Sequence, residues 1–180
     1  IYTNNLLTLS SNASNTARVA LVLGSINGLV TVERFLPHRR AWRLLTAPIT
    51  QATPSSLNTT WKNIVDIVGP SGNNLSQIRP GYNFLTYNST NDSWVVVNDP
   101  TLVNLTGTAL NNAFCAFIPG PLNTPITDSA HVTLSSTGEL LVGTKTFNVT
   151  APTNNYALIP NPYASPVNLN EVFNASSHIY

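Results

Sequence analysis

The chain has 180 residues, with 8 Lys or Arg and 7 Asp or Glu, so its formal net charge at pH 7 is +1. Charged residues make up 8% of the chain, against about 25% in a typical soluble domain, while Asn, Thr and Ser number 24, 22 and 16. This composition excludes the basic surface that nucleic acids and anionic membranes require, and the 42% of hydrophobic residues exclude a disordered chain. No apolar run approaches the ~20 residues of a membrane-spanning helix, so we expect neither a nucleic-acid partner nor membrane insertion.

Short strand-like segments, separated by polar turns, recur along the chain. Their alternation of apolar and polar residues favours β-structure, and the abundant Asn and Ser suit the turns between them. Residues 113–118 are almost wholly apolar, which predicts a central buried strand, and residues 82–97 predict a hairpin with a polar tip. The predicted strands span 6–10, 17–23, 29–36, 41–46, 82–87, 93–97, 113–118, 131–134, 139–149 and 156–159.

One segment has helical rather than strand periodicity. Its apolar residues lie three or four positions apart, at Leu57, Trp61, Ile64, Val65 and Val68. This spacing predicts one short amphipathic helix within residues 55–68. About ten strands, one short helix and frequent polar turns predict an all-β fold, an antiparallel β-sandwich or jelly-roll-like domain over residues 1–180.

The sequence contains no recognisable catalytic constellation. Its three histidines, His38, His131 and His178, occur singly, and there is no Gly-x-Ser-x-Gly nucleophile turn. The one cysteine, Cys115, lies in the apolar segment 113–118, so we expect a buried, unreactive thiol and no intrachain disulfide. The seven acidic residues are scattered and indicate no acid–base pair for glycoside cleavage. We therefore predict that the protein is not an enzyme and binds no cofactor.

Two polar groups have both a binding and a structural interpretation. Asp92 and Asp99, with neighbouring asparagines, could supply oxygen ligands to calcium, but Asx residues are commoner as turn formers, so we predict no metal site. Half of the chain's Lys and Arg lie within residues 34–43, where they could bind an acidic partner or a sugar acid. We favour the structural interpretation, in which these arginines stack on Trp42 or pair with Glu33.

The aromatic residues divide into core and surface candidates. Trp42, Trp61 and Trp94 lie on predicted strands or on the apolar face of the predicted helix, so we expect all three in the core. Tyr82 and Tyr87 are less constrained, and exposed rings of this kind stack on sugars. They are the candidate sugar-stacking residues.

Several segments, in a fixed order along the chain, resemble one known family. Residues 30–37 (VTVERFLP) followed by 40–48 (RAWRLLTAP) resemble a strand pair of large cell-surface proteins from Bacteroidetes bacteria. Further similar segments are 87–94 (YNSTNDSW), 138–147 (GELLVGTKTF) and 160–167 (PNPYASPV). The similarity extends over roughly residues 5–170, and none of its motifs is a catalytic signature.

The resemblance implies a β-rich extracellular module, exported by type IX secretion to the cell surface, usually within a long adhesin-like chain. The family normally continues past the 160–167 segment into further strands and a C-terminal sorting domain, whereas this chain ends at Tyr180. We therefore expect either a piece of a longer protein or a processed subunit whose missing strands come from a neighbour. Residues 128–130 (DSA) also fit the pattern at which these bacteria attach O-linked glycans, which makes Ser129 a candidate glycosylation site.

These observations predict a structural, non-catalytic extracellular module of a bacterial surface protein, acting in adhesion or as a self-assembling subunit of an extracellular fibre. The expected partners are copies of itself or neighbouring domains of a longer chain, and surface glycans. We expect residues 167–180 to form an extended tail or strand-donating segment. The candidate strand-exchange residues are Ile1, Tyr2, Leu6, Val172, Phe173, Ile179 and Tyr180. The alternative is a carbohydrate-binding module of a larger secreted protein.

Overall fold

A computed structural model of the chain describes residues 1–37, 40–50, 57, 60–70, 81–110, 112–123, 125 and 130–176. The predictions made for His38, for Ser129 and for His178, Ile179 and Tyr180 lie outside these residues. The strands are β1 (Leu7–Leu9), β2 (Val30–Leu36), β3 (Ala41–Leu45), β4 (Phe84–Asn88), β5 (Ser93–Val96), β6 (Phe114–Ile118) and β7 (Val132–Gly138). One α-helix, α1 (Leu169–Ala175), and two 3-10 turns, Trp61–Asn63 and Pro100–Leu102, complete the assigned elements.

The first sheet has three strands in the order β1-β2-β7. β2 and β7 are antiparallel along their whole lengths, from the pair Val30 and Gly138 to the pair Leu36 and Val132, whereas β1 is parallel to β2. Except at Arg34 of β2, alternate residues of both strands are buried, as the two-residue period of a half-buried strand requires. The prediction of a wholly antiparallel fold is therefore wrong for β1.

The second sheet has four antiparallel strands in the order β3-β6-β4-β5. β6 lies between β3 and β4, which confirms the prediction of a central strand from its continuous apolar sequence. β4 and β5 form the predicted hairpin. Asp92, in its tip, has a φ of 48°, a left-handed conformation that Asp and Asn adopt more readily than most residues.

One hydrophobic core joins the inner faces of the two sheets. It includes Val30, Val32 and Leu134 from the first sheet, and Phe84 and Phe114 from the second. The rings of Phe84 and Phe114 stack with centroids 4.7 Å apart, and both side chains are almost fully buried. The structure therefore has the two-sheet, all-β organisation predicted from the sequence.

The strand count differs from the prediction, because the described residues form seven strands rather than about ten. Segments 17–23, 139–149 and 156–159 contain no ladder strand, and residues 135–138, which lie between the predicted strands 131–134 and 139–149, are part of β7. The ladder between β2 and β7 ends at the pair Val30 and Gly138, so the chain beyond Gly138 passes the end of its partner. A strand-like sequence needs a neighbouring backbone before it can form a strand.

The helices also differ from the prediction. The described part of 55–68 contains only the 3-10 turn Trp61–Asn63, and residues 65–68 are all buried. An amphipathic helix buries one stripe, so four consecutive buried residues do not suit it. The α-helix lies instead within 167–180, at Leu169–Ala175, where the sequence predicted an extended tail. Asn168 caps this helix, because its side chain accepts a hydrogen bond from the backbone N–H of Asn170.

The core assignment predicts a large difference between two Phe→Ala substitutions. Phe84→Ala should lower the free energy of unfolding by about 3–5 kcal/mol, because the side chain is fully buried and leaves a cavity. Phe173→Ala is the matched control, since Phe173 in α1 is 54% exposed, and its effect should stay within about 0.5 kcal/mol. Urea denaturation measures both values, and equal effects would contradict the assignment of the core.

Candidate functional site

The four-stranded sheet carries apolar side chains on both of its faces. Phe84, Phe114, Ala116 and Ile118 point to the core and are at most 3% exposed. Because side chains alternate along a strand, the intervening residues lie on the opposite side, which we call the outer face. Its members, which are cross-strand neighbours, are Trp42, Leu44, Leu85, Tyr87, Trp94, Val96, Cys115 and Phe117. None of these eight side chains is charged.

The two edge strands of the outer face are open to solvent in this chain. Trp42 and Leu44 in β3 are 50% and 63% exposed and Trp94 in β5 is 46% exposed, whereas Cys115 between them is buried. Single exposed apolar residues are common on proteins, but a contiguous patch usually marks a surface that binds something. The outer face is therefore the candidate functional site.

Aromatic contacts organise both ends of the outer face. At one end the rings of Trp42 and Phe117 are tilted, with centroids 5.6 Å apart, and the guanidinium carbon of Arg40 lies 5.9 Å from the Phe117 centroid. At the other end Tyr87 meets Trp94 edge to face, with centroids 5.1 Å apart. Such contacts hold aromatic rings in fixed orientations, so the outer face presents a surface of defined shape to a binding partner.

A hydrogen bond fixes Tyr87 at the hairpin. Its hydroxyl donates to Oδ1 of Asp92, in the hairpin tip. This bond, followed by partial burial and by the negative charge of Asp92, raises the pKa of Tyr87 to about 12. The phenol therefore stays protonated over the physiological pH range and keeps its position on the outer face.

The hairpin tip is also braced by a later part of the chain. The Asn155 side-chain amide donates to the carbonyl oxygens of Ser89 and Thr90, at 2.9 and 3.2 Å, and the Ser89 hydroxyl donates to the carbonyl of Thr150 at 3.0 Å. Tyr156 follows directly, with 73% of its side chain exposed, and it contributes the smallest part of the raised pKa of Tyr87. Tyr87, Trp94 and Tyr156 thus lie at one end of the molecule.

The structure separates the two predicted sugar-stacking tyrosines. Tyr87 belongs to the outer face, whereas Tyr82 precedes β4 and is 52% exposed. Five positions separate them, so strand alternation does not place them on one face. Trp61 lies in the core, as predicted, at 4% exposure. The prediction that Trp42 and Trp94 lie in the core is wrong, because the register of β3 and β5 directs them to the outer face.

The candidate strand-exchange residues are exposed at both ends of the described chain. Ile1, Tyr2 and Leu6 are 76–83% exposed, although backbone hydrogen bonds attach this segment to Ser25 and Asn27. Val172 and Phe173 lie in α1, where with Leu169 they form an apolar stripe, and no residue of the helix is buried. Strand exchange itself stays a prediction.

The candidate catalytic and metal-binding residues occupy structural positions. His131 stacks on Phe35, with ring centroids 5.4 Å apart. Cys115 is buried within β6, and desolvation raises the pKa of its thiol, which leaves little reactive thiolate at neutral pH. Within the described ranges no three His, Cys, Asp or Glu side chains are grouped as metal ligands. Asp92 already accepts the hydrogen bond of Tyr87.

The predicted arginine cluster is divided between two places. Arg40 lies beside the Phe117 ring at the edge of the outer face. Arg34 and Arg43 line a cleft between the two sheets. Glu33, which was expected to pair with an arginine, accepts instead a hydrogen bond from the backbone N–H of Ser11 at 3.1 Å.

Comparison with known proteins adds no further assignment. No family model, no curated protein and no solved structure matches the chain. The similarity to Bacteroidetes surface proteins therefore stays an interpretation of the motifs quoted above. Among the described residues, no helix is long and apolar enough to cross a membrane.

Substitution of Asp92 should change the titration of one tyrosine. In the folded chain the pKa of Tyr87 is about 12, and Asp92→Asn removes both the anionic acceptor and its charge, so this pKa should fall towards about 10. Because the folded state holds this proton more tightly than the unfolded state, the bond stabilises the fold below about pH 10. That contribution is lost as the pH rises through about 12.

Absorbance at 295 nm, followed between pH 8 and pH 13, measures the tyrosine ionisations. The control is Asp99→Asn, which changes the net charge equally and leaves the bond between Tyr87 and Asp92 intact. Identical titration curves for the wild type and Asp92→Asn would contradict the described hydrogen bond.

Proposed function

We propose that the chain is a structural, non-catalytic extracellular module of a bacterial surface protein, which acts in adhesion or as a self-assembling subunit of an extracellular fibre. We further propose that a second copy of the chain covers the outer face. The exposed, uncharged outer face of the four-stranded sheet is the observation that carries this proposal. The motif resemblance supports the bacterial cell surface, type IX secretion and the jelly-roll-like form of the sandwich.

The chemistry of the outer face favours a copy of the same chain as its occupant. Two identical apolar faces satisfy each other when they pack across a two-fold axis, as the facing sheets of a β-sandwich do. The net charge of +1 and the charged content of 8% keep the electrostatic repulsion between copies small. The apolar stripe of α1 offers a separate contact through which such pairs could be joined into a fibre.

A charge placed on the exposed edge strand of the outer face should prevent this association. Leu44→Lys introduces an ammonium group that would be buried without a partner in the pair, so we expect the dissociation constant to rise at least about tenfold. Sedimentation velocity over a concentration series measures the effect. Electron microscopy of the same samples shows whether fibres form.

Leu23→Lys is the matched control, because Leu23 is 94% exposed and lies outside the outer face. It should associate as the wild type does. Circular dichroism and urea denaturation establish that both variants are folded. A wild type that remains monomeric at every soluble concentration, or association that Leu44→Lys leaves unchanged, would overturn the proposal.

A carbohydrate-binding module is the second candidate function. The observation that favours it is the aromatic end of the outer face, where Tyr87 is held by Asp92 and Trp94 is half exposed beside it. Rings held in this way offer apolar faces on which a sugar can stack. The candidate ligand is a neutral surface glycan.

Glycan-array binding that is lost in Tyr87→Ala would support this second candidate, and Tyr82→Ala tests whether the separate Tyr82 contributes. Tyr2→Ala is the control, because Tyr2 is 82% exposed and lies outside the outer face, so its loss should leave binding unchanged. Absence of binding by the wild type, or equal loss in all three variants, would count against it.

A further inference from the structure

A cleft of about 510 Å³ opens between the two sheets, and it shares Trp42 and Leu44 with the edge of the outer face. Residues of β2 and β7 form one wall, and residues of β3 form the other. Its volume lies within the range of pockets that hold small molecules. The cleft contains two arginines, which is unusual for inner-face positions of a two-sheet fold with so few charges.

Arg34 occupies a position that strand alternation assigns to the core. It lies on the inner face of β2 between Val32 and Leu36, both 6% exposed, and opposite Leu134 of β7, at 1% exposure. The Arg34 side chain itself is exposed and lines the cleft. Its guanidinium makes no hydrogen bond or ion pair with any described residue, so its donors are available to a ligand.

Arg43 approaches the same cleft from the opposite sheet. It is an inner-face residue of β3, paired with the buried Ala116 of β6, and its Nη2 donates to the carbonyl oxygen of Pro37 at 3.3 Å. This contact holds the second guanidinium in place. Among the described residues of the cleft lining, Glu33 is the only acidic one, and with Arg34 and Arg43 it gives this part of the lining a net single positive charge. The Oε2 of Glu33 accepts the Ser11 N–H.

A buried hydroxyl adds a third donor. Ser136 lines the cleft and is 3% exposed, and its Oγ accepts the indole N–H of Trp61 at 3.1 Å. A serine hydroxyl also has one hydrogen of its own to donate, and no described residue accepts it. A buried donor without an acceptor is costly, so a ligand oxygen at this place would be stabilising.

We propose that this cleft binds a carboxylated sugar, such as a uronic acid unit of an acidic polysaccharide. Guanidinium groups pair with a carboxylate through charge-assisted hydrogen bonds, and Arg34 supplies an unoccupied planar fork. Trp42, which belongs both to the rim of the cleft and to the outer face, is half exposed in the single chain and there offers a ring on which the apolar face of a sugar can stack. The charged group and the aromatic ring together distinguish a sugar acid from a neutral sugar or a simple anion.

Isothermal titration calorimetry with trigalacturonate tests the proposal, with galactotriose as the neutral probe and triglutamate as the acidic peptide probe. The wild type should bind trigalacturonate more tightly than either, and added salt should weaken the binding. Arg34→Ala should weaken it at least about tenfold. Arg34→Lys, which keeps the charge and loses the planar fork, should give an intermediate affinity.

Arg18→Ala is the matched control, because Arg18 is exposed and does not line the cleft. It removes the same charge and should leave the affinity unchanged. No binding by the wild type, equal binding of galactotriose, tighter binding of triglutamate, or equal loss in Arg34→Ala and Arg18→Ala would each overturn the proposal. Sedimentation velocity compares the self-association of Arg34→Ala with that of the wild type, and equal association of the two separates loss of the ligand from a change at the outer face.

Discussion

A sheet that is apolar on both faces must be covered on both, and the four-stranded sheet of this protein is fully covered on one side only, because the outer face remains exposed along its two edge strands. β6 shows the constraint most clearly, because all five of its residues are apolar and they alternate between the two faces. Phe114, Ala116 and Ile118 are covered by the core shared with the first sheet. Cys115 and Phe117 face the other way, towards Trp42 and Leu44, which are half exposed or more.

The remaining features agree with a surface that another molecule covers. The hydrogen bond between Tyr87 and Asp92 and the contacts of Asn155 fix the hairpin that forms one end of the outer face. Arg40 lies at the opposite end, so the interior of the face contains no charge. With a net charge of +1, copies of the chain repel one another little. The low charge of the chain and the exposed apolar side chains of the outer face thus both favour association between copies.

Local sequence pattern is sufficient to predict two kinds of element. These are strands that pair with a neighbour in the sequence and strands whose residues are all apolar. The hairpin of β4 and β5, the apolar central strand β6 and the two-sheet organisation were all predicted. Segments 17–23 and 139–149 have equally strand-like sequences, but they form no ladder, because pairing depends on where distant strands end. The helix α1 was missed because its apolar residues also fit an extended segment.

The candidate site was only partly visible in the sequence. Tyr87 was identified, but Trp42 and Trp94 were assigned to the core, because a large aromatic residue on a strand is usually buried. The signal that could have corrected this is the presence of apolar residues at successive positions in β3, where Trp42, Leu44 and Leu45 cannot all face one way. The presence of Arg34 and Arg43 in one cleft depends on how the two sheets pack, and no local sequence pattern predicts that packing.

The central claim is that the outer face becomes buried when copies meet, and hydroxyl-radical footprinting tests it directly. The oxidation rates of Trp42 and Trp94 are measured at low and high protein concentration, with Trp61, which is 4% exposed, as the internal reference. We predict that Trp42 and Trp94 become protected as the concentration rises, while Trp61 stays protected throughout. Oxidation of Trp42 and Trp94 at the same rate at every concentration would contradict the account.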